Sequence, residues 1–418
     1  MGGDSGSSPD RLTYPLPTSM NPYVGLVSSL RAAWLTGKTR TTEHRLSQLE
    51  ALGRFLDDKK QPILDAMASD MRKPPFEVEL SEIILVKNEV NYALNNLSTW
   101  MKDEGVDKNL VTQLDTAFIR KEPYGVVLII GPWNYPLQLI LVPLVGAIAA
   151  GNCVIIKPSE ISSSTEKLVA EMLPSYLDKD CFAVVTGGPA ETTQLLENKF
   201  DYIFFTGNPQ VGKIVMAAAA THLTPLTLEL GGKNPCYVAD ESDMQNVANR
   251  LVWGRCFNAG QTCVAPDYVL CSAETQEKLL PALRHAITQF FGPDPRESPD
   301  FARIISDKQF QRIRALLGSG RVAIGGQTDE KERYVVSDAP FPQPPRCWWT
   351  CSRQSLPCRR RSSGLSCPSS PCPTWTKPSP SSTAGSGRWS CTSLPPTASW
   401  CAGCWSGRAA EVLVPMTP

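Results

Sequence analysis

The chain has 418 residues, 42% of them hydrophobic, which suffices for two or three lobes with cores of their own. No apolar stretch reaches the roughly 18 residues needed to cross a bilayer, so no transmembrane segment is expected. The formal net charge of zero conceals a split. Residues 1–345 hold 33 Lys/Arg against 40 Asp/Glu, and an acidic body of this kind excludes nucleic acid as the main partner. Met1 to Gly6 shows no basic segment ahead of an apolar one, so the expectation is a cytoplasmic protein.

Residues 1–21 read as a flexible segment. Residues 24–104 are helical in pattern: Leu46, Leu49, Leu52, Phe55 and Leu56 recur at steps of three and four and give one apolar face. From Ala117 the rhythm changes to short β-rich runs alternating with helical stretches. The strand candidates are Gly125–Ile130, Cys153–Ile156, Phe182–Val185, Tyr202–Phe205 and Leu226–Leu230, the last one buried in character. Leu139–Ala150 is the most apolar run and reads as a buried helix. The alternation predicts an α/β fold with a doubly wound parallel sheet. A helical run, Met244–Phe257, and a strand-like run, Tyr268–Cys271, follow on either side of a polar, glycine-containing segment that carries Cys263.

Beyond Arg346 these patterns stop. Residues 346–418 contain no Ile, Phe or Tyr but hold six of the ten Trp and eight of the 14 Cys. Cys347-Trp348-Trp349-Thr350 must be encoded TGY-TGG-TGG-ACN, and reading from each third base gives Leu-Val-Asp. The same shift over Cys358–Pro368 permits Gln-Glu-Glu-Ile-Phe-Gly-Pro-Ile-Leu-Pro. A pyrimidine-rich run ending in CAG can encode Pro340-Phe341-Pro342-Gln343, as at an intron boundary. The tail therefore reads as out-of-frame coding sequence in an alternatively spliced product, without a packed domain.

Five segments carry chemistry. Pro132-Trp133-Asn134-Tyr135-Pro136 follows the first strand of the sheet, and Ile156-Lys157-Pro158-Ser159-Glu160 ends the second. Phe205-Thr206-Gly207-Asn208-Pro209-Gln210-Val211-Gly212-Lys213 is a strand, a glycine turn and a helix start, suited to receiving a phosphate on helix N–H groups. Leu228-Glu229-Leu230-Gly231-Gly232-Lys233-Asn234-Pro235 ends a strand in a carboxylate and a double glycine. Phe257-Asn258-Ala259-Gly260-Gln261-Thr262-Cys263-Val264-Ala265-Pro266-Asp267 places one thiol at a loop junction, where substrates can reach it. A lone cysteine is more often a core residue, but this surrounding string outweighs that base expectation. The other five cysteines of the body (Cys153, Cys181, Cys236, Cys256 and Cys271) read as inert core residues.

Two other chemistries fail on the residues. Gly207 to Lys213 matches a P-loop up to the lysine, but Ile214 stands where the magnesium-binding Ser or Thr belongs. For zinc, His44, His222 and His285 are the only histidines and the body has no Cys-x-x-Cys pair, so no metal site is expected.

Over residues 22–334 the five strings resemble the aldehyde dehydrogenases, and most closely family 3, whose substrates are fatty and aromatic aldehydes. The absence of Gly-x-Gly-x-x-Gly fits, because that family departs from the ordinary fingerprint in the same way. The resemblance implies a cofactor lobe over 22–228 with a bridging segment near 100–122, an incomplete catalytic lobe over 229–335, and a tail, 336–418, outside the family pattern. It implies Cys263 as nucleophile, Glu229 as general base and Asn134 as oxyanion donor. NAD or NADP would contact Lys157, Glu160, Gly207, Gly212, Pro132 and Trp133. The implied partner is a small-molecule aldehyde. The family's dimers exchange a C-terminal strand that lies beyond the resembling region. So does the Glu-Phe pair that holds the nicotinamide ribose, and the alternative reading is therefore a catalytically impaired splice isoform, at most a binding protein or decoy.

Overall fold

The computed structural model describes residues 21–317, 323–324 and 327–336. The expectations for residues 1–20 and 337–418 lie outside the described residues.

Helices come first: α1 (Val24–Leu35), α2 (Thr42–Asp58), α3 (Lys60–Met71) and α4 (Pro75–Val78), which runs through a π turn at Glu79–Ile83 into α5 (Ile84–Trp100). Helix α2 starts where its sequence says, with the Thr41 hydroxyl accepting from the His44 amide. Its stripe buries Leu49, Leu52, Phe55 and Leu56. An antiparallel hairpin, β1 (Glu104–Gly105) with β2 (Phe118–Ile119), follows on the surface.

The sheet is built from β3 (Val126–Ile130), β4 (Cys153–Lys157), β5 (Phe182–Val184), β6 (Tyr202–Gly207) and β7 (Leu226–Leu230), with α6 (Gln138–Ala150), α7 (Ser163–Met172), α8 (Pro189–Leu196) and α9 (Pro209–Thr221) between them. All neighbours are parallel, in the order β5-β4-β3-β6-β7. Strands β3 and β4 are buried along their whole length, as the Val/Ile runs of a two-sided parallel sheet require. Winding proceeds outward from β3 to β5, then returns to β6 beside β3. That reversal puts the topological switch point at the carboxyl ends of β3 and β6, where open α/β sheets bind ligands.

Strand β7 corrects one expectation. Leu226, Thr227 and Leu228 are half-buried, while Glu229 and Leu230 are exposed rather than buried. Its position explains this: among the described residues β7 is the edge strand and pairs only with β6.

A second core, separate from that of the sheet, gathers Val252, Leu279, Phe301 and Phe310. It belongs to β8 (Pro235–Tyr237), α10 (Met244–Cys256), β9 (Tyr268–Leu270), α11 (Ala273–Phe291), α12 (Asp307–Leu317) and the hairpin of β10 (Gln327–Asp329) with β11 (Tyr334–Val336). Strands β8 and β9 pair in parallel, connected through α10. Among the described residues no helix is long and apolar enough to cross a membrane.

Behind the turn that follows β3 lies a fully buried ion pair, Lys73 Nζ to Glu82 Oε1 at 2.7 Å. The other Glu82 oxygen accepts from the Leu137 and Gln138 amides at 3.2 and 2.8 Å, which opens α6. A Cβ built at Gly131 would fall 2.1 Å from Ile140 Cγ2, so only glycine lets this turn lie against α6. Removing one member of a buried pair leaves an uncompensated charge. Lys73→Met is expected to cost about 3–5 kcal/mol in urea unfolding. A loss under about 1 kcal/mol would show that the pair does not hold this turn.

Candidate active site

Helix α10 runs into a single 3-10 turn, Phe257–Gly260, in which Asn258 and Ala259 adopt φ of 53° and 52°. Left-handed backbone costs an alanine roughly 1–2 kcal/mol, so the surroundings must hold it. They do so with hydrogen bonds from both lobes. The Asn258 amide donates to Glu77 Oε2 at 2.9 Å, and its side chain donates to the Asn134 carbonyl at 2.8 Å. Gln261 fastens the other side: Nε2 donates to the Arg303 carbonyl at 3.0 Å and Oε1 accepts from the Ile305 amide at 3.0 Å.

The thiol comes two residues later. The Thr262 hydroxyl meets the Tyr135 hydroxyl at 2.5 Å. Asn234 Nδ2 donates to the carbonyls of Cys263 and Ala265 at 2.8 and 2.9 Å, and Asp267 accepts from the Asn234 amide at 3.1 Å. The backbone on each side of Cys263 is thus pinned while the residue itself is exposed. Of the other five cysteines in the described residues, Cys153, Cys181, Cys236 and Cys256 are buried. Burial pushes the Cys256 thiol up to about 12. Cys271 is only half-buried, because it sits past the end of β9 at the start of α11, which corrects its reading as a core residue.

The turn bearing Asn134 and the loop bearing Cys263 are brought together through Asn258 and through Tyr135 with Thr262. Asn134 is half-buried. Its side-chain amide makes no hydrogen bond to another described residue, so it remains available to a ligand. Glu229 stands exposed at the end of β7, opposite Thr206 in register. Among the described residues no hydrogen bond joins it to Cys263 or Asn134. Five residues on, Asn234 bonds to the thiol loop.

The expected cofactor residues line the same end of the sheet. Pro132 and Trp133 follow β3 and are half-buried. Lys157 ends β4, nearly inaccessible, with Nζ 3.8 Å from both Glu160 and Glu166. Burial pulls its amine down, opposed by those two carboxylates. Gly207 ends β6, and Gly212 is buried against Leu230. The Thr206 hydroxyl on β6 is buried and, among the described residues, has no partner, an orphan that a polar ligand at this end of the sheet would satisfy. The residues therefore fit a nucleotide. One detail differs from a bare phosphate cradle: Asn208 Oδ1 already accepts from the Gln210 and Val211 amides, so α9 caps its own first turn.

Sequence reading missed the support behind the loop. Lys73, Glu77 and Glu82 lie in a stretch whose charges look like a solvated face, yet all three are buried. Lys73 Nζ lies 4.2 Å from the centre of the Tyr135 ring. Burial pushes the Glu77 carboxyl up to about 7, against the lowering effects of the Asn258 amide and Lys73.

A carboxyl whose folded value is raised favours the folded state when protonated and loses that contribution as pH climbs. Between pH 4.5 and about 7, ionisation of Glu77 should remove up to about 3 kcal/mol from stability. Urea unfolding across that range should show this slope in the native protein and not in Glu77→Gln; equal slopes would refute it. Accessibility also sets thiol reactivity. Under limiting alkylation Cys263 should label before the other five cysteines between residues 153 and 271, as read by peptide mass spectrometry. Even labelling would count against a presented thiol.

The family model "Aldehyde dehydrogenase family" matches residues 27–337. Aldehyde dehydrogenase family 3 member B1 of Homo sapiens is 66% identical over 317 residues, covering 76% of this chain and 68% of that protein. Family 3 member A2 of Macaca fascicularis is 50% identical over 310 residues, covering 74% and 64%. Among solved structures, a substrate-bound AldH of Staphylococcus aureus aligns with a TM-score of 0.74 at 38% identity, covering 76% of this chain and 69% of that one. A Mycobacterium tuberculosis aldehyde dehydrogenase complexed with NAD+ aligns with a TM-score of 0.67 at 26% identity, covering 79% and 69%. The chain thus spans about two thirds of the length of the relatives it matches. It belongs to the aldehyde dehydrogenase family, on its family 3 branch.

Proposed function

We propose that this chain oxidises aldehydes to carboxylic acids with NAD or NADP, through a covalent adduct on Cys263. The observation that carries the reading is the exposed thiol on a loop pinned at both sides, beside the turn that holds Asn134. The substrates would be fatty and aromatic aldehydes, the class that the family 3 resemblance implies.

In this reading the Cys263 thiolate adds to the aldehyde carbonyl and gives a thiohemiacetal. The uncommitted Asn134 amide donates to the developing oxyanion, assisted by backbone N–H at the loop. NAD or NADP, when bound, supplies the hydride acceptor. Lys157, Glu160, Gly207, Gly212, Pro132 and Trp133 would hold it at the carboxyl ends of β3, β4 and β6. Loss of hydride leaves a thioester on Cys263. Glu229, solvent-facing at the edge of the sheet, takes a proton from the water that hydrolyses it.

Cys263→Ala should abolish both aldehyde oxidation and p-nitrophenyl ester hydrolysis. Asn134→Ala should lower kcat by about 10²–10³-fold, the loss typical of one oxyanion donor. Glu229→Gln should slow deacylation and leave a burst of the first product. Aldehyde oxidation surviving in Cys263→Ala would overturn the assignment.

A second reading is favoured by the family match ending at residue 337, with the residues after it unmatched. Here the chain retains thiol chemistry but is impaired in hydride transfer, and acts at most as a binding protein or decoy. Misplacement by about 1 Å costs about 10²-fold, so aldehyde oxidation should fall at least that far below a complete family member. Ester hydrolysis needs no hydride acceptor and should fall less. Dehydrogenase turnover equal to that of a complete relative would reject this second reading.

A further inference from the structure

We propose that His44, Asp178 and Cys181 form a zinc site in the first lobe, separate from the residues of the candidate active site. Sequence spacing conceals it, because its ligands come from two distant segments. His44 lies in the first turn of α2; Asp178 and Cys181 lie in the loop that enters β5. A ring nitrogen, a carboxylate oxygen and the thiol sulfur all fall within 4.8 Å of one another.

One further observation points to a ligand there. Among the described residues His44 Nε2 is buried with no hydrogen-bond partner, a polar atom that a ligand would satisfy. The frame is already set. Gln48, one turn after His44 on α2, accepts from the Asp178 amide at 2.8 Å, and Asp178 Oδ1 accepts from the Asp180 amide at 3.1 Å. Cys181 Sγ is 3.8 Å from Asp178 Oδ2.

The donor set selects the metal. One nitrogen, one oxygen and one sulfur suit Zn²⁺, whereas Mg²⁺ and Ca²⁺ take oxygen ligands. His44 and Asp178 are half-buried, so water can complete a tetrahedron. The present counter-charge is Lys38, whose Nζ lies 2.5 Å from Asp178 Oδ2 and whose side chain is 44% exposed. On metal binding Cys181 releases its proton to solvent, and Lys38 swings into water as the ammonium. The neutral imidazole, the carboxylate and the thiolate then balance the two positive charges of the ion. The ion and Lys38 compete for one oxygen, and that competition gives the site its signature.

The test titrates Co²⁺ and Zn²⁺ into the full chain in a Cys263→Ser background, with every variant checked by circular dichroism. Cys181→Ser and His44→Ala should each lose one equivalent of tetrahedral thiolate–Co²⁺ absorption, with any signal from cysteines elsewhere unchanged. Lys38→Met should tighten Zn²⁺ binding by about tenfold in competition with a chromophoric chelator, a gain that misfolding cannot mimic. Zn²⁺ should also raise the melting temperature of the Cys263→Ser protein and not of the Cys181→Ser double variant. Unchanged stoichiometry in the ligand variants together with unchanged affinity in Lys38→Met would overturn the site.

Discussion

Both oxygens of Glu82 are committed, one to Lys73 and the other to the amides that open α6. A carboxylate taken wholly out of water is costly, and it persists only where a paired cation and directed N–H groups replace its hydration. Here that requirement fixes geometry. Lys73 lies under the Tyr135 ring, Tyr135 reaches Thr262, and Thr262 precedes the exposed thiol. The position of the proposed nucleophile therefore descends, contact by contact, from a charge pair in the first lobe. Glu77 adds a parallel route through Asn258.

Much of this was legible in the sequence where hydrophobic pattern or local string decides the outcome. The runs at 126–130 and 153–157 are apolar on both faces and became central strands. Thr41 and the α2 stripe marked a start and a buried side. The strings around Asn134, Lys157 and Gly207 were placed at strand ends and that around Cys263 between a helix and a strand, as the structure has them. What escaped was whatever depends on contacts distant in sequence. Glu77 and Glu82 look like exposed charges until Asn258 and Lys73 are placed beside them. Strand β7 reads as buried from its leucines, but its exposure follows from edge position, which composition does not encode. His44 and Cys181, unremarkable singly, meet only because α2 packs beside the entry to β5.

The sheet end and the thiol loop divide the work between two structural logics. Around Lys157 and Thr206 the parallel strands deliver side chains to one end of the sheet by topology alone, with backbone turns doing the positioning. Around Cys263 no strand delivers the residue. Its place depends on side-chain amides, Asn234, Asn258 and Gln261, each satisfying two or more backbone groups. Such amide clamps are specific in direction, and replacement by a carboxylate of equal size would lose the donors and repel the carbonyls.

Asn258 and Gln261 hold the loop from opposite lobes, one through Glu77 and Asn134, the other through Arg303 and Ile305. The loop is therefore a seam, and its left-handed backbone is stable only while both sides are docked. A modest opening between the two cores would release it at little cost to either core. Opening of the thiol site is then set by that docking rather than by the stability of either core. Mild heat or denaturant would silence the chemistry while the helices and the central sheet still give a folded spectrum. Loss of the proposed activity would report the docking of the two halves before it reports the unfolding of either.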